Sequence, residues 1–405
     1  MYAAMLSNRS RLVRRVGAVG AVAASTFIAS RIIQLLMDWR TRTLVRSFSS
    51  KLNVPSLRPG RYDHFLGCAQ REGKLVVIGG HASAKSESAP TALTVELWKP
   101  GSEGWEVTVH ESAAARGSHG AVLLDDTTVL IHGGYGQSGN LGDTWIVDIS
   151  GQELCWSQLT GPGPSIRSGH TLCTLLPQQG AVLFGGYGET GSLNDAWMFK
   201  DSTWTPVQSE GDTPSPRCAH AAAVLARPEE GTASLYVHGG FGDVAALSDM
   251  YHGMLVPSQG TEDEDSHVLC WSRLEPTNPP SARSGHSLVP LDLPRGQVLA
   301  LFGGMGPNDP SGQPQLSNET FIFDPTLGMW SYLEVDPGFI PEPRYNHRAT
   351  VRNGINYNGT KSLMYISGGF NSEGHVLDST AVLVVEEDGT AHWQKPDLDV
   401  ATVAR

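Results

Sequence analysis

One pattern occurs six times between residues 61 and 395 and limits the possible folds more than any other feature. Each copy starts with Arg-x-x-His, continues to a pair of glycines and closes on a tryptophan. The Arg-x-x-His pairs are Arg61/His64, Arg116/His119, Arg167/His170, Arg217/His220, Arg283/His286 and Arg344/His347. The glycine pairs stand at 79–80, 133–134, 185–186, 239–240, 303–304 and 368–369, spaced by 54, 52, 54, 64 and 65 residues. A period of roughly 50 residues predicts one small supersecondary unit, repeated.

The third copy predicts four short strands, in "HTLCTLL", "GAVLFGG", "DAWMF" and "TWTPVQ". The glycine pair ends the second strand, where the backbone bends with no room for a Cβ. An Asp or Asn precedes most third strands, at Asp143, Asp195, Asp249, Asn318 and Asp378, and the first copy lacks a clear one. The closing tryptophans are Trp105, Trp156, Trp204, Trp271, Trp330 and Trp393. One thin sheet cannot bury an indole, so we expect each to pack between neighbouring sheets placed around an axis.

The linked motifs Arg-x-x-His, "LFGGYG" and "LNDAW", with the spaced Trp, resemble kelch repeats. They are most similar to the diverged kind found in host cell factor and Rab9-effector-like proteins. The resemblance implies an all-β, six-bladed kelch-type β-propeller over residues 61–395. Its blades would cover about 61–110, 111–160, 161–210, 211–276, 277–336 and 337–395, before a tail at 396–405. It further implies a non-catalytic scaffold that binds a protein or peptide partner through one face of the ring.

The repeat also supplies candidate contact residues for that face. The residues that follow the glycine pairs are His81, Tyr135, Tyr187, Phe241, Met305 and Phe370, four of them aromatic. Aromatic side chains beside arginine are typical of binding hot spots, so a collar at the mouth of the ring is one interpretation and packing against the next blade is the other. The six repeated arginines are either hydrogen-bonding struts or a positive rim that attracts an acidic partner. Both sets are candidate partner-binding residues.

Catalytic motifs are weak in this chain. Six of the 14 histidines belong to Arg-x-x-His, and equivalent positions in a ring are rotated apart, so we expect each imidazole to hydrogen-bond within its own blade and to bind no metal. No phosphate loop, G-x-S-x-G elbow or cofactor motif occurs. Two alternatives remain open: a small-molecule or sugar-modifying enzyme that uses the axial channel, as in kelch-like mutarotases or specifier proteins, and a substrate adaptor of a ubiquitin ligase.

Charge divides the chain into two parts. Residues 1–60 carry ten Lys and Arg and one acid, a net of +9, and residues 61–405 carry 19 basic and 40 acidic residues, a net of −21. A body this acidic excludes most nucleic-acid surfaces, which need clustered Lys and Arg. The five cysteines are odd in number and form no C-x-x-C, which favours small buried side chains in a reducing compartment.

The Arg-rich, acid-poor segment 1–48 predicts a mitochondrial transit peptide, helical or disordered, before a linker at 49–60. The stretch "RSFSS" predicts cleavage between Phe48 and Ser49, with Arg46 two places before Phe48. Two other interpretations stay open. Residues 16–37 could anchor an uncleaved chain in a membrane, although the apolar stretch 16–30 is short and Arg31 interrupts it. A secretory signal is the third interpretation, although the segment has no clear small-residue cleavage site.

Overall fold

The computed structural model describes residues 60–395, apart from 83–91, 101, 176–179, 228–231, 259–266, 294–295, 337, 358–359 and 387–389. The predicted transit peptide, the cleavage point between Phe48 and Ser49, the segment 16–37 and the tail 396–405 lie outside these residues. The described chain is built from β-strands joined by turns and loops, without helix. Within it, no helix has the length and hydropathy needed to cross a membrane.

Short strands dominate because each apolar run of the repeat ends in Gly, Pro, Asn or Asp turn chemistry. We label the four-stranded antiparallel units A to F in chain order. Unit A holds β1 (Arg61–Tyr62), β2 (Phe65–Ala69), β3 (Lys74–Ile78), β4 (His81–Ala82), β5 (Ala92–Trp98) and β6 (Glu106–Ala114). Unit B holds β7 (Gly120–Leu123), β8 (Thr128–Gly136), β9 (Gly139–Asp148) and β10 (Cys155–Leu159). Unit C holds β11 (Thr171–Thr174), β12 (Ala181–Tyr187), β13 (Ser192–Lys200) and β14 (Thr203–Gly211).

The last three units follow the same plan with longer hairpins. Unit D holds β15 (Ala221–Arg227), β16 (Thr232–Phe241), β17 (Ala246–Pro257) and β18 (His267–Leu274). Unit E holds β19 (Ser287–Leu293), β20 (Gly296–Phe302), β21 (Met305–Asn308), β22 (Pro314–Leu316), β23 (Thr320–Asp324) and β24 (Met329–Tyr332). Unit F holds β25 (Arg348–Tyr357), β26 (Thr360–Ser367), β27 (Thr380–Glu386) and β28 (Ala391–Gln394). The strands predicted for the third copy are confirmed in type and order by β11 to β14.

Each unit is a four-stranded sheet made from contiguous chain. Strand order is β2-β3-β5-β6 in unit A and β19-β20-β23-β24 in unit E, while β1-β4 and β21-β22 form separate two-stranded pairs. Units C and D join into one eight-stranded sheet, because β14 pairs in parallel with β18 from Gln208 opposite Val268 to Gly211 opposite Trp271. The first strand of each unit runs away from Arg-x-x-His and the second returns to the glycine pair, so both motifs lie at the same end.

The closing tryptophans pack between neighbouring units, as predicted. Four of the six contact the ring of the residue that precedes the glycine pair of the unit before them. The centroid distances are 5.4 Å for Trp204 and His132, 5.0 Å for Trp271 and Phe184, 5.4 Å for Trp330 and His238, and 5.0 Å for Trp393 and Phe302. Stacking of units therefore buries apolar area that a single sheet would expose.

Backbone hydrogen bonds join the units into a closed ring. In each unit the N–H of the second glycine donates to the carbonyl of the arginine of the next unit, over 2.8–2.9 Å. The last of these bonds runs from Gly369 in unit F to Arg61 in unit A. Side chains of units A and F also share one buried cluster, which includes Leu75, Leu363 and Tyr365. The units are therefore arranged as the blades of a propeller.

Candidate functional site

The six arginines are buried in the ring. Arg116, Arg167 and Arg217 are 0% exposed, and the other three are at most 8% exposed. Each Nη1 donates to the carbonyl oxygen of the first glycine of its own unit, over 2.9–3.1 Å. A guanidinium has five N–H donors, so it can satisfy the turn carbonyls and still bind a carboxylate.

A carboxylate neutralises the arginine in five units. The ion pairs are Arg61–Glu96, Arg116–Asp143, Arg167–Asp195, Arg217–Asp249 and Arg283–Glu319. In unit C both Asp195 oxygens accept from Arg167, over 2.6 and 2.8 Å, and Asp195 also accepts from the Trp197 indole. Burial alone would raise the pKa of Asp195, but the hydrogen bonds and charge of Arg167 lower it overall.

The predicted acidic positions are partly right. Asp143, Asp195 and Asp249 make the ion pairs, whereas in unit E the partner is Glu319, the residue after Asn318. In unit F the equivalent residue is Ser379, which accepts from Arg344, while Asp378 is exposed. In unit A, where no acid was evident, Glu96 takes the place. For the acids, the signal that would have found them is their position two places before the third-strand aromatic, as in Asp195 and Trp197. Ser379 lacks this signal, because the residue two places after it is Ala381.

The arginines are therefore struts, and the expectation that Arg61, Arg116, Arg167, Arg217, Arg283 and Arg344 form a positive rim is wrong. Their charge is buried, and a partner would have to displace both glycine carbonyls and carboxylates to reach it. An acidic partner was expected because of a positive rim, and without that rim the repeat gives no physical reason to expect one.

The histidines of Arg-x-x-His are also buried, and four of them bond to the preceding unit rather than to their own: His170, His220, His286 and His347. His170 Nε2 accepts from the Gly120 N–H over 3.1 Å, and His220 Nε2 lies 2.9 Å from Thr171 Oγ1. Burial lowers the pKa of all six well below the usual range, and that of His220 falls to about 3. Among the described residues no group of three or more His, Cys, Asp or Glu has the geometry of a metal site.

An inner circle of backbone lies beside these histidines. It consists of the residue before each histidine: Asp63, Ser118, Gly169, Ala219, Gly285 and Asn346. All six have φ between 48° and 63°, and each N–H donates to the carbonyl of its counterpart in the preceding unit over 2.8–3.0 Å. The Asp63 N–H donates to the Asn346 carbonyl in this way, so the circle is closed. The end of the ring that carries the glycine-pair loops is consequently held in one geometry.

We call this end the collar face. It comprises the loop after each glycine pair and the connection that leads into each Arg-x-x-His. Three of the six predicted collar residues are well exposed there: Tyr135 at 52%, Tyr187 at 50% and Phe241 at 42%. They occur in the neighbouring units B, C and D in the same register. His81, Met305 and Phe370 are only partly exposed.

The difference in exposure has a local cause. Each collar residue bridges to the residue after the repeat arginine, and in units B, C and D these are the small Gly117, Ser168 and Cys218. In unit F the equivalent residue is Tyr345, whose ring stacks on Phe370 at 5.3 Å. Tyr62 of unit A lies on the other side of Phe370, at 4.1 Å. Phe370 therefore packs against neighbouring rings, whereas Tyr135, Tyr187 and Phe241 form an exposed aromatic patch on units B to D.

The charge of the collar face is negative. In the described parts of its loops and connections the six buried arginines are the only Lys or Arg residues. Exposed acids are frequent, and two of them follow the exposed aromatics directly, as Tyr187-Gly188-Glu189 and Phe241-Gly242-Asp243. Burial raises the pKa of the Cys218 thiol, and the charge of nearby Asp243 raises it further.

A cleft of about 500 Å³ opens between units D and E, and its lining includes Glu275 and Pro276 of the connection that leads into Arg283. Tyr236, His252 and Met254 line it from unit D, and Phe323 lines it from unit E. The Tyr236 and His252 rings lie 5.0 Å apart. The cleft has the size of a small-molecule site, but the residues of the repeat motif are not part of its wall.

Comparison with known proteins identifies relatives of this repeat. The KLHDC2/KLHL20/DRC7 kelch-repeats domain matches residues 66–289 and 200–399. An F-box/kelch-repeat protein of Arabidopsis thaliana is 30% identical over 314 residues, which cover 70% of this chain and 60% of the relative. The Rab9 effector protein with kelch motifs of Bos taurus is 29% identical over 213 residues, which cover 50% of this chain and 52% of the relative. The chain thus spans about half to three fifths of the length of these curated relatives.

A solved structure shows the same fold. The structure of YjhT superposes with a TM-score of 0.60 at 15% identity, and the match covers 84% of this chain and 99% of the other. At this level of identity the match bears on the fold and on no site residue.

Proposed function

Since this chain belongs to the kelch-repeat family, we propose that it is a six-bladed propeller that acts as a non-catalytic protein-interaction module through its collar face. Four four-stranded sheets and one eight-stranded sheet of two units support a count of six blades. The relatives whose names pair kelch repeats with an F-box or with Rab9 support a protein partner.

The observation that carries the proposal is the exposure of Tyr135, Tyr187 and Phe241 in one register on three adjacent units. Large aromatic rings held half in water on a rigid frame supply binding area at low conformational cost. The frame is rigid because the inner circle and the glycine-to-arginine bonds tie every unit to the next.

The buried polar groups of the repeat support a structural rather than a catalytic role for those groups. The arginines are paired with carboxylates or backbone, and the histidines are held neutral by burial. A catalytic acid or base needs a pKa near the working pH and access to substrate, and these histidines have neither.

The test is capture of the natural partner by the full chain and by the triple variant Tyr135→Ala, Tyr187→Ala, Phe241→Ala. We expect captured partner to fall at least about tenfold, because each anchor ring contributes on the order of 1 kcal/mol or more. The matched control is Val107→Ala, Val109→Ala, Tyr332→Ala, whose side chains are 59%, 50% and 56% exposed on the outermost strands β6 and β24. Equal capture by the triple variant and the parent protein would place the contact elsewhere.

The proposal also includes targeting of this chain to mitochondria. It rests on the composition of residues 1–48 and on the "RSFSS" stretch, in which Arg46 stands two places before the expected cut. A partner would then be a protein of the same compartment.

A further inference from the structure

We propose that the collar face docks a cationic segment of its protein partner, one that presents Arg or Lys side chains between apolar ones. This inference rests on the proposed function and specifies the chemistry of the partner. The docking surface is a patch on units B to D formed by Tyr135, Tyr187, Phe241, Glu189 and Asp243, which we call the B–D patch.

Charge complementarity is the first argument. The repeat arginines are sealed inside the ring and five of them are paired with carboxylates, so they contribute little positive potential to the surface. The exposed charges that remain on the described loops of this face are acids, among them Glu189, Asp212 and Asp243. A surface with this potential attracts cations and repels an acidic peptide.

The second argument is the pairing of rings with carboxylates. Glu189 and Asp243 each stand two residues after an exposed ring, with a buried glycine between ring and acid. A guanidinium or ammonium group can lie over the face of Tyr187 or Phe241 while it bonds to the adjacent carboxylate. Val244, which is 91% exposed beside Asp243, adds an apolar contact for a side chain between the cations.

The third argument is the asymmetry of the collar face. On units A and F the rings of Tyr62, Tyr345 and Phe370 pack on one another and leave no comparable free ring face. On units B to D the residues that bridge to the exposed rings are Gly117, Ser168 and Cys218, which carry no ring of their own. Asn140 of unit B donates to the Tyr187 carbonyl over 3.0 Å, which fixes the loop of one unit against the ring residue of the next. An extended segment that crosses units B, C and D therefore meets an ordered row of rings and acids.

The experiment uses the full chain and two short fluorescent peptides, one alternating arginine with leucine and one with glutamate at every arginine position. We expect the arginine peptide to bind, the glutamate peptide not to bind, and the affinity to fall as salt is raised. The double variant Glu189→Lys, Asp243→Lys should lose about tenfold in affinity for the arginine peptide.

The control variant makes the same change of charge on the opposite end of the ring. Glu72→Lys and Glu153→Lys alter exposed acids in the turns after β2 and β9. Retained affinity in this control, with an unchanged melting temperature in both variants, supports the B–D patch. Equal losses of affinity for the arginine peptide in the two double variants would mean general attraction to an acidic protein and would overturn the proposal. Tighter binding of the glutamate peptide than of the arginine peptide would also overturn it.

The outcome separates this inference from the proposed function. If the aromatic triple variant loses the natural partner while Glu189→Lys, Asp243→Lys keeps it, the collar face binds a partner but the partner is not cationic. If neither variant affects capture, the collar face is not the contact surface and both proposals fail.

Discussion

The backbone N–H of Gly369 donates to the carbonyl oxygen of Arg61 over 2.8 Å, and this bond joins the last unit of the ring to the first. It repeats the bond that every other second glycine makes to the next arginine, so the ring closes by the same contact that builds it. Within the described residues the sheet of unit F is made of contiguous chain, like those of the other units.

Replacement of Gly369 by alanine should therefore destabilise the closed ring. A Cβ there would lie 2.6 Å from the Tyr345 carbonyl oxygen and 2.9 Å from the His347 nitrogen, at a φ of +93°. We expect a loss of about 2–4 kcal/mol in the free energy of unfolding, of which about 1 kcal/mol is backbone strain. Gly374→Ala is the matched control, since its φ is +73° and nothing lies within 4 Å of the added Cβ. Urea unfolding measures both, and equal losses would contradict a packing role for Gly369.

As the pH is lowered, this protein should unfold at a higher pH than the protonation of its carboxylates alone would predict. Eight histidines are buried and have a lowered pKa: His64, His119, His132, His170, His220, His238, His286 and His347. Their pKa is lower in the folded chain than in the unfolded chain, so stability is complete above about pH 6.5 and falls as the pH drops below that value. Each histidine that stays neutral in the folded chain lowers the free energy of unfolding by about 1.4 kcal/mol per pH unit in this range.

His132→Phe tests this origin, because Phe184 and Phe302 occupy the same position in units C and E. Between pH 6.5 and pH 5 the urea midpoint of the variant should fall less steeply than that of the parent protein, because one proton fewer is bound on unfolding. His375→Gln, at a side chain that is 62% exposed, should leave the slope unchanged. A midpoint that does not depend on pH in this range would mean that the histidines are charged in the folded chain.

Unit F offers a stabilising substitution. Arg344 has Ser379 where other units have a carboxylate, and burial lowers the pKa of Arg344 to about 10. Ser379→Asp should restore the ion pair and raise the free energy of unfolding by about 1–2 kcal/mol. Ser372→Asp adds the same charge at an exposed site of unit F and serves as the control. A decrease in stability on Ser379→Asp would show that the unit F turn cannot accommodate a carboxylate.

Cleavage of the targeting segment should begin the mature protein at Ser49. Arg46→Ala should block processing, because Arg46 lies two places before Phe48 in the expected cleavage stretch. Mass spectrometry of the N-terminus of the native and variant chains makes the measurement. A native chain that retains residues 16–37 and sediments with membranes would favour the anchor interpretation.

The sequence alone was sufficient to predict the repeating unit, its strand order and the burial of the closing tryptophans. These features are local and periodic: the glycine pair, the acid and the indole recur at linked positions, and a thin sheet must bury its indole against a neighbour. The sequence indicated an acid before the third strand only where that acid is an aspartate, as in Asp195, and it did not indicate that this acid pairs with the arginine. Glu96 was missed because the residue type changes while the position two places before the third-strand aromatic stays. Ser379 was missed because it is not an acid and no aromatic residue stands two places after it.

Only the tertiary structure decided which way the arginines and histidines point and which collar residues reach water. Arg167 and His170 have the same local sequence whether they face a partner or a neighbouring unit, and their burial depends on carbonyls and carboxylates brought close by the ring. Tyr187 and Phe370 occupy equivalent positions, yet one is half exposed and the other is stacked. The exposure of a side chain is determined by what neighbouring units place against it, and no single repeat contains that information.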